Sequence, residues 1–164
     1  DSRNLSATNA TDLELIRNQI ESSVWYRETF KEAQWNPSNY NVAGGFGLIL
    51  NTDYTTLDAR LKTISKRLEK VPAYYQAAIA KIDQPTLEHT DLAIQQNKGA
   101  LSVFLNAIPE SLKESKLTTE EKSEFQPKLD AAVAAIEGYI AWLTDKREKI
   151  ADGSAKDFRI GEAL

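Results

Sequence analysis

An all-α fold, a bundle of five or six helices, follows from three features of this sequence. Apolar residues recur three and four positions apart over long stretches, the period of one face of an α-helix. Three pairs, Thr11/Glu14, Thr55/Asp58 and Thr118/Glu121, have capping-box spacing, in which each side chain satisfies a backbone N–H left free at a helix start. No run alternates apolar and polar residues strongly enough to require a strand.

The first helix is predicted from the Thr11 cap to about Ala33, with Leu13, Ile16, Ile20, Val24 and Phe30 on one stripe. Asn36-Pro37-Ser38-Asn39 breaks it, because proline lacks an N–H and disfavours helix in the residue before it. Residues 40–50 read as a short apolar helix, with strand as the competing reading, and Gly44, Gly45 and Gly47 point to close backbone packing or a tight turn. The Thr55/Asp58 pair opens a helix carrying Leu57, Leu61, Ile64, Leu68 and Val71. Pro72 sits where a new helix can start, since its missing N–H is unused in a first turn. That helix carries Tyr74, Tyr75, Ala78, Ile79 and Ile82 and ends before Pro85. Thr86 opens the next, with Leu92, Val103, Phe104, Leu105 and Ile108 as apolar surface; Pro109 punctuates it, and Leu112 and Leu117 fall in a short connector. The last helix is predicted over 119–150, with Phe125, Leu129, Val133, Ile136, Ile140, Leu143 and Ile150 on one stripe and Pro127 as a kink point. It stops at Asp152-Gly153-Ser154, and Phe158-Arg159-Ile160-Gly161 reads as the opening of another apolar segment.

A length of 164 residues suits one domain, and 41% hydrophobic content can build a core. The longest apolar run, Phe46 to Leu50, is interrupted by Gly47 and falls far short of the roughly 20 residues of a membrane span. The net charge of −4, with Lys and Arg interleaved among Asp and Glu, argues against a nucleic-acid partner, which needs a basic face. There is no cysteine, which removes disulfides, thiolate metal sites and cysteine nucleophiles. There is also no methionine, even at position 1, as expected of a processed chain or a piece of a longer one; chance loss of both residue types is the alternative. Residues 1–10 (DSRNLSATNA) read as a polar leader that could join an export signal or lipid anchor to a body over 11–164.

No catalytic, cofactor-binding or metal-ligating residue is assigned within these 164 positions. The single histidine, His89, has Glu88 and Asp91 beside it, but one imidazole and two surface carboxylates do not make a zinc site, and a solvated first-turn histidine is expected. A helical zinc-peptidase motif needs two histidines one turn apart. With one histidine and no Gly-x-Ser-x-Gly turn, a serine triad has little support. Gly44-Gly45-Phe46-Gly47 is followed by Leu48 and Ile49, where a phosphate loop would place lysine and a hydroxyl residue. Trp25, Tyr26, Trp35, Tyr40, Tyr74 and Tyr75 could line a peptide or sugar groove, but aromatics are more often core with satisfied polar tips.

Several segments in order resemble one family. Asn36-Pro37-Ser38-Asn39-Tyr40 resembles an "Asp or Asn, Pro, two residues, Tyr" element, and Leu57-Asp58-Ala59-Arg60-Leu61 with Arg67-Leu68-Glu69-Lys70-Val71-Pro72-Ala73-Tyr74 resembles an arginine-leucine helix pair ending in proline. Thr90-Asp91-Leu92-Ala93-Ile94 and Phe158-Arg159-Ile160-Gly161 follow in the same order. Together they are similar to the N-terminal helical part of the bacterial domain-of-unknown-function 885 family, some of whose members are described as lipoproteins. The resemblance implies a larger, mostly helical protein similar to gluzincin-type zinc metallopeptidases, with the metal motif well downstream of the matched part. It carries no catalytic or metal residue onto this chain. Zinc would belong to the parent protein, a peptide would be its substrate, and the remainder of the parent chain would be this segment's partner. Its place would be extracytoplasmic, periplasmic or lipid-anchored at the bacterial envelope.

Three functions are thus expected in different measure. The leading one is a non-catalytic N-terminal segment that borders the cleft of a secreted or periplasmic zinc-metallopeptidase-like hydrolase. It predicts a large exposed apolar face, involving 40–50 or the last helix, because such faces mark a missing partner. A stand-alone helical binding module of the cell envelope predicts a polar outer surface instead. A complete small enzyme working through carboxylates alone would need a carboxylate pair, and nothing singles one out.

Overall fold

The computed structural model describes residues 5–150 together with Asp157 and Arg159, so the Phe158-Arg159-Ile160-Gly161 element lies largely outside the described residues. The described parts of Asp1–Ala33 and of Gln34–Leu164 form two compact units. Every regular element in them is helical, and six helices have nine or more residues.

In the first unit, α1 (Ala7–Trp25) starts earlier than the Thr11 cap predicts. Ser6 is the cap, its Oγ accepting from the Asn9 N–H at 3.2 Å. Serine caps better than threonine, and Ala7 and Ala10 favour the added turn. Thr11 therefore lies inside the helix, its hydroxyl donating to the Ala7 carbonyl at 3.1 Å. The helix also does not run on to Ala33. A π turn, Tyr26–Phe30, closes on Lys31, whose φ of 49° is left-handed. The Lys31 N–H donates to the Tyr26 carbonyl at 2.9 Å. A π turn brings residues five apart onto one side, and Trp25 and Phe30 stack there with ring centroids 5.7 Å apart. The stripe predicted to pack is not buried: no residue of α1 is, and Ile16 and Ile20 are 57% and 58% exposed.

The second unit opens at Gln34, within α2 (Glu32–Trp35), and continues through a 3₁₀ turn at Pro37–Asn39. Residues 43–51 then form α3 (Ala43–Asn51), so helix rather than strand is adopted there. α4 (Leu57–Leu68) and α5 (Val71–Lys81) follow, the latter with proline in its first turn as the sequence predicts. The α4 cap is Thr56 rather than Thr55, its Oγ1 accepting from the Ala59 N–H at 3.3 Å. Asp58 is thereby freed to accept from the Lys116 N–H at 2.9 Å, across 58 residues of sequence.

α6 (Leu87–Ser102) passes through a second π turn, Val103–Ala107, directly into α7 (Ile108–Glu114). Leu112 is therefore helical and buried, not part of a connector. The π turn answers the proline: Pro109 has no N–H and its ring crowds the carbonyl four residues back, so widening the preceding turn lets the helix continue. α8 (Thr119–Ile150) occupies the predicted span, with Pro127 inside it. Its buried residues, Phe125, Leu129, Ala132, Ile136, Tyr139 and Leu143, step by four and three. They face α4, α5 and α6, where Leu61, Ile64, Leu68, Tyr75 and Ala93 complete the core. No described helix is long and apolar enough to cross a membrane.

The α8 start is a reciprocal capping box. The Thr118 N–H donates to Glu121 Oε2 at 2.9 Å and the Glu121 N–H donates to Thr118 Oγ1 at 3.2 Å. Lys62 Nζ lies 2.8 Å from Glu121 Oε1. The hydrogen bond from Lys62, then the Thr118 N–H, holds the Glu121 carboxyl below its ordinary value near 4.5. Lys128 does the same for Glu69. A lowered folded-state value means that the contribution is present above the ordinary value and is lost as pH falls through the folded one. We therefore expect Tm to fall less steeply in Glu121→Gln than in the natural sequence as pH drops below the ordinary glutamate value. Parallel slopes would show that the box carries no charge-dependent stability.

Candidate functional site

The residues weighed for metal chemistry do not converge. His89 sits in the first turn of α6, half-buried rather than solvated. Its Nδ1 lies 2.8 Å from Thr86 Oγ1 and its ring meets Trp35 edge-on at 5.4 Å. The Trp35 wall and the adjacent cap hydroxyl draw it inward. Asp91 accepts from Arg147 Nε at 2.7 Å, and Glu88 is exposed. Among the described residues no three of His, Cys, Asp and Glu stand close enough to hold a metal ion. These residues do not fit a zinc ion.

The Asn36-Pro37-Ser38-Asn39-Tyr40 segment is instead held by a buried polar cluster. Asn36 is buried, and its Oδ1 accepts from the Ser38 N–H at 3.0 Å and from the Ser38 hydroxyl. The Pro37 carbonyl accepts from the Tyr139 hydroxyl of α8 at 3.1 Å. The Tyr40 carbonyl accepts from Asn97 Nδ2 of α6 at 3.2 Å, and the same amide donates to the Ala93 carbonyl at 2.9 Å. Asn97 Oδ1 in turn accepts from the Tyr75 hydroxyl of α5 at 2.7 Å. The Tyr75 and Tyr139 rings are 4.8 Å apart, and Trp142 stacks on Tyr139 at 5.9 Å. Burial pushes the Tyr75 hydroxyl up to about 12 and raises Tyr139 as well. Both therefore stay neutral donors at ordinary pH, suited to fixing a backbone rather than moving protons. Of the aromatic group named above, Trp35 and Tyr75 are core, Tyr40 is half-buried, and Trp25, Tyr26 and Tyr74 are exposed.

Arg60, of the Leu57–Leu61 motif, joins α4 to the end of α3. It is 8% exposed, and its Nη1 donates to the Leu50 carbonyl and to the Thr52 carbonyl at 3.3 Å. A cation here neutralises the negative end of α3 and satisfies carbonyls that the helix leaves open. Its Nη2 pairs with Asp53 at 3.0 Å, but that carboxylate is 92% exposed and well screened by water. Nε is buried and has no hydrogen-bond partner among the described residues. We expect Arg60→Met to lose about 2–3 kcal/mol in urea unfolding, from charge-assisted bonds to carbonyls that become orphaned. Asp53→Asn should change stability by less than about 0.5 kcal/mol. Equal losses would place the weight on the ion pair instead.

Neither close packing nor a turn accounts for the glycines of α3. A Cβ at Gly44, Gly45 or Gly47 would meet nothing within 4 Å, and all three lie within regular helix. Only Phe46 and Ile49 of α3 are buried, while Leu48 is 68% exposed. An open groove of about 600 Å³ runs between the start of α3 and α6, bordered by Asn39, Asn41, Gly44, Gln96, Gly99 and Val103.

Comparison with known proteins gives three findings. The model of the family described as "Bacterial protein of unknown function (DUF885)" matches residues 1–164. A solved structure described as that of "a putative lipoprotein of unknown function from Shewanella oneidensis" is 44% identical over 98% of this chain, with a TM-score of 0.91. This chain spans 29% of the length of that one. No curated protein matches.

Proposed function

The chain belongs to the bacterial family of unknown function DUF885, and from that premise we propose that it works as a non-catalytic helical lobe of a longer envelope protein. The remainder of that polypeptide covers the outer face of α3. The observation that carries this reading is the α3 surface itself. Glycine within a helix costs up to about 1 kcal/mol against alanine, and among the described residues nothing meets a Cβ placed at Gly44 or Gly47. An exposed Leu48, and a separate open groove between α3 and α6 where Gly44 and Gly99 carry no side chain, are features that a segment from elsewhere would fill. The solved relative, in which the matched part is 29% of the chain, supports a longer partner segment. The lipoprotein description of that relative supports a lipid-anchored, extracytoplasmic place.

The finer reading is that the lobe borders the cleft of a zinc-metallopeptidase-like hydrolase, and the resemblance of the ordered motifs supports it. The zinc and the catalytic groups would come from residues beyond these, since the described residues do not fit the metal. Two measurements separate the coarse and fine readings. If the coding frame continues past Leu164, Leu48→Arg should weaken association between this chain and the remainder expressed separately, by tenfold or more. Zinc at one or two ions per polypeptide, with peptide hydrolysis by the intact protein, is the result expected for the hydrolase. Association without zinc or hydrolysis would leave the lobe and remove the peptidase. A frame that stops at Leu164 would overturn both, in favour of a self-sufficient binding module.

A further inference from the structure

A second cleft, of about 570 Å³, opens between α3, the end of α4 and the start of α5. Its volume is that of a small-molecule site. Val42, Phe46, Val71 and the Tyr74 ring supply apolar wall, and Lys66, Arg67 and Lys70 stand on its rim. Two other polar side chains on the wall are already engaged within the chain. Asn41 Oδ1 accepts from the Ala43 N–H at 2.9 Å, and the Thr63 hydroxyl donates to the Ala59 carbonyl at 3.1 Å.

Ordinary helix electrostatics explains part of this rim. Lys66 and Arg67 lie in the last turn of α4, where cations are favoured. Lys70 follows the α4 C-cap Glu69 and is at the same time the N-cap of α5 with no side-chain cap bond, so the two helix ends act on it in opposite senses. Glu69, the carboxylate of that turn, feels the charges of Lys66 and Lys70, but its ion pair at 2.7 Å is with Lys128, and it does not line the cleft. Three cations thus gather over an apolar floor in a chain whose net charge is −4.

We propose that this cleft binds an alkyl carboxylate of the fatty-acid class, the head group between Arg67 and Lys70 and the chain on Val42, Phe46 and Val71. A peptide fits less well. Its amides would need several partners along the wall, where the Asn41 Oδ1 and the Thr63 hydroxyl proton are already engaged and only the remaining amide donor and hydroxyl lone pairs are left. The inference rests on the second unit alone and does not depend on the lobe reading above.

Calorimetry on the 164-residue chain with decanoate tests it, with decanol as the neutral counterpart. The expected result is one site per chain, with decanol bound about tenfold or more weaker. Arg67→Gln with Lys70→Gln should weaken decanoate about tenfold and leave decanol unchanged. Gly45→Phe should abolish both, because Gly45 lines the cleft and its Cβ direction is open. Circular dichroism checks that each variant keeps its helices; if Gly45→Phe does not, the charge pair still decides. Equal binding of decanol and decanoate would overturn the proposal. So would unchanged binding in the double variant, uptake without saturation, no binding, or tighter binding of a short apolar peptide with a free C-terminus.

Discussion

Asn97→Ala is expected to destabilise the second unit by about 2–4 kcal/mol, out of proportion to the few atoms removed. The substitution removes the acceptor of the Tyr75 hydroxyl and the Asn97 amide that donates to the Tyr40 carbonyl. Asn97 is fully buried, so water does not replace the lost partners readily. Tyr75→Phe removes one member of the same pair and should lose less, about 1–2 kcal/mol. Because the two side chains share one bond, their losses should not add, and the double variant should fall short of the sum. Urea unfolding of the four proteins reads this directly. Additive losses would mean that Asn97 acts on Tyr40 alone.

The other large effect is expected at Phe104. Its ring is fully buried in the π turn between α6 and α7 and meets Phe46 of α3 at 5.0 Å. Phe104→Ala should cost about 3–5 kcal/mol, through lost burial and the cavity left behind. Two of the α3 anchors are Phe46 and Ile49, so the variant should also speed amide exchange in α3 more than in α8. A loss below about 1 kcal/mol, or uniform exchange, would show that α3 is held elsewhere.

The long-period features were legible because burial and periodicity agree there. Leu61, Ile64 and Leu68 lie on one predicted stripe and all are fully buried. The α8 limits and the Thr118/Glu121 box also match, because proline, cap and stripe point the same way. Caps were legible only to the nearest few residues: Ser6 and Thr56 compete with Thr11 and Thr55 for one role, and local hydrogen bonding decides. The two π turns left no periodic signal, because each inserts a shift inside an otherwise regular helix. The buried cluster was missed for a different reason. Asn97 and Tyr139 stand on apolar stripes, and extending those stripes through α6 and α8 would have marked both as buried polar groups. Their partners, the Tyr40 and Pro37 carbonyls, lie 57 and 102 residues away and have no sequence signature. The exposed apolar face was expected in 40–50 or the last helix. Among the described residues only Leu48 is a large exposed apolar side chain in those segments, which falls short of a large face; Leu15, Ile16, Ile20, Val24, Trp25 and Tyr26 are exposed instead, which was not foreseen, since an isolated stripe reads as core.

The reading of α3 as a covered face is open to a direct measurement. The chain has no cysteine, so Leu48→Cys introduces its first thiol. Its alkylation rate, read by mass spectrometry on the peptide carrying position 48, can be compared between the 164-residue chain and the longer polypeptide. The account predicts fast labelling in the short chain and labelling slowed by tenfold or more in the long one. Equal rates in the two, with Glu110→Cys as an exposed control, would contradict it.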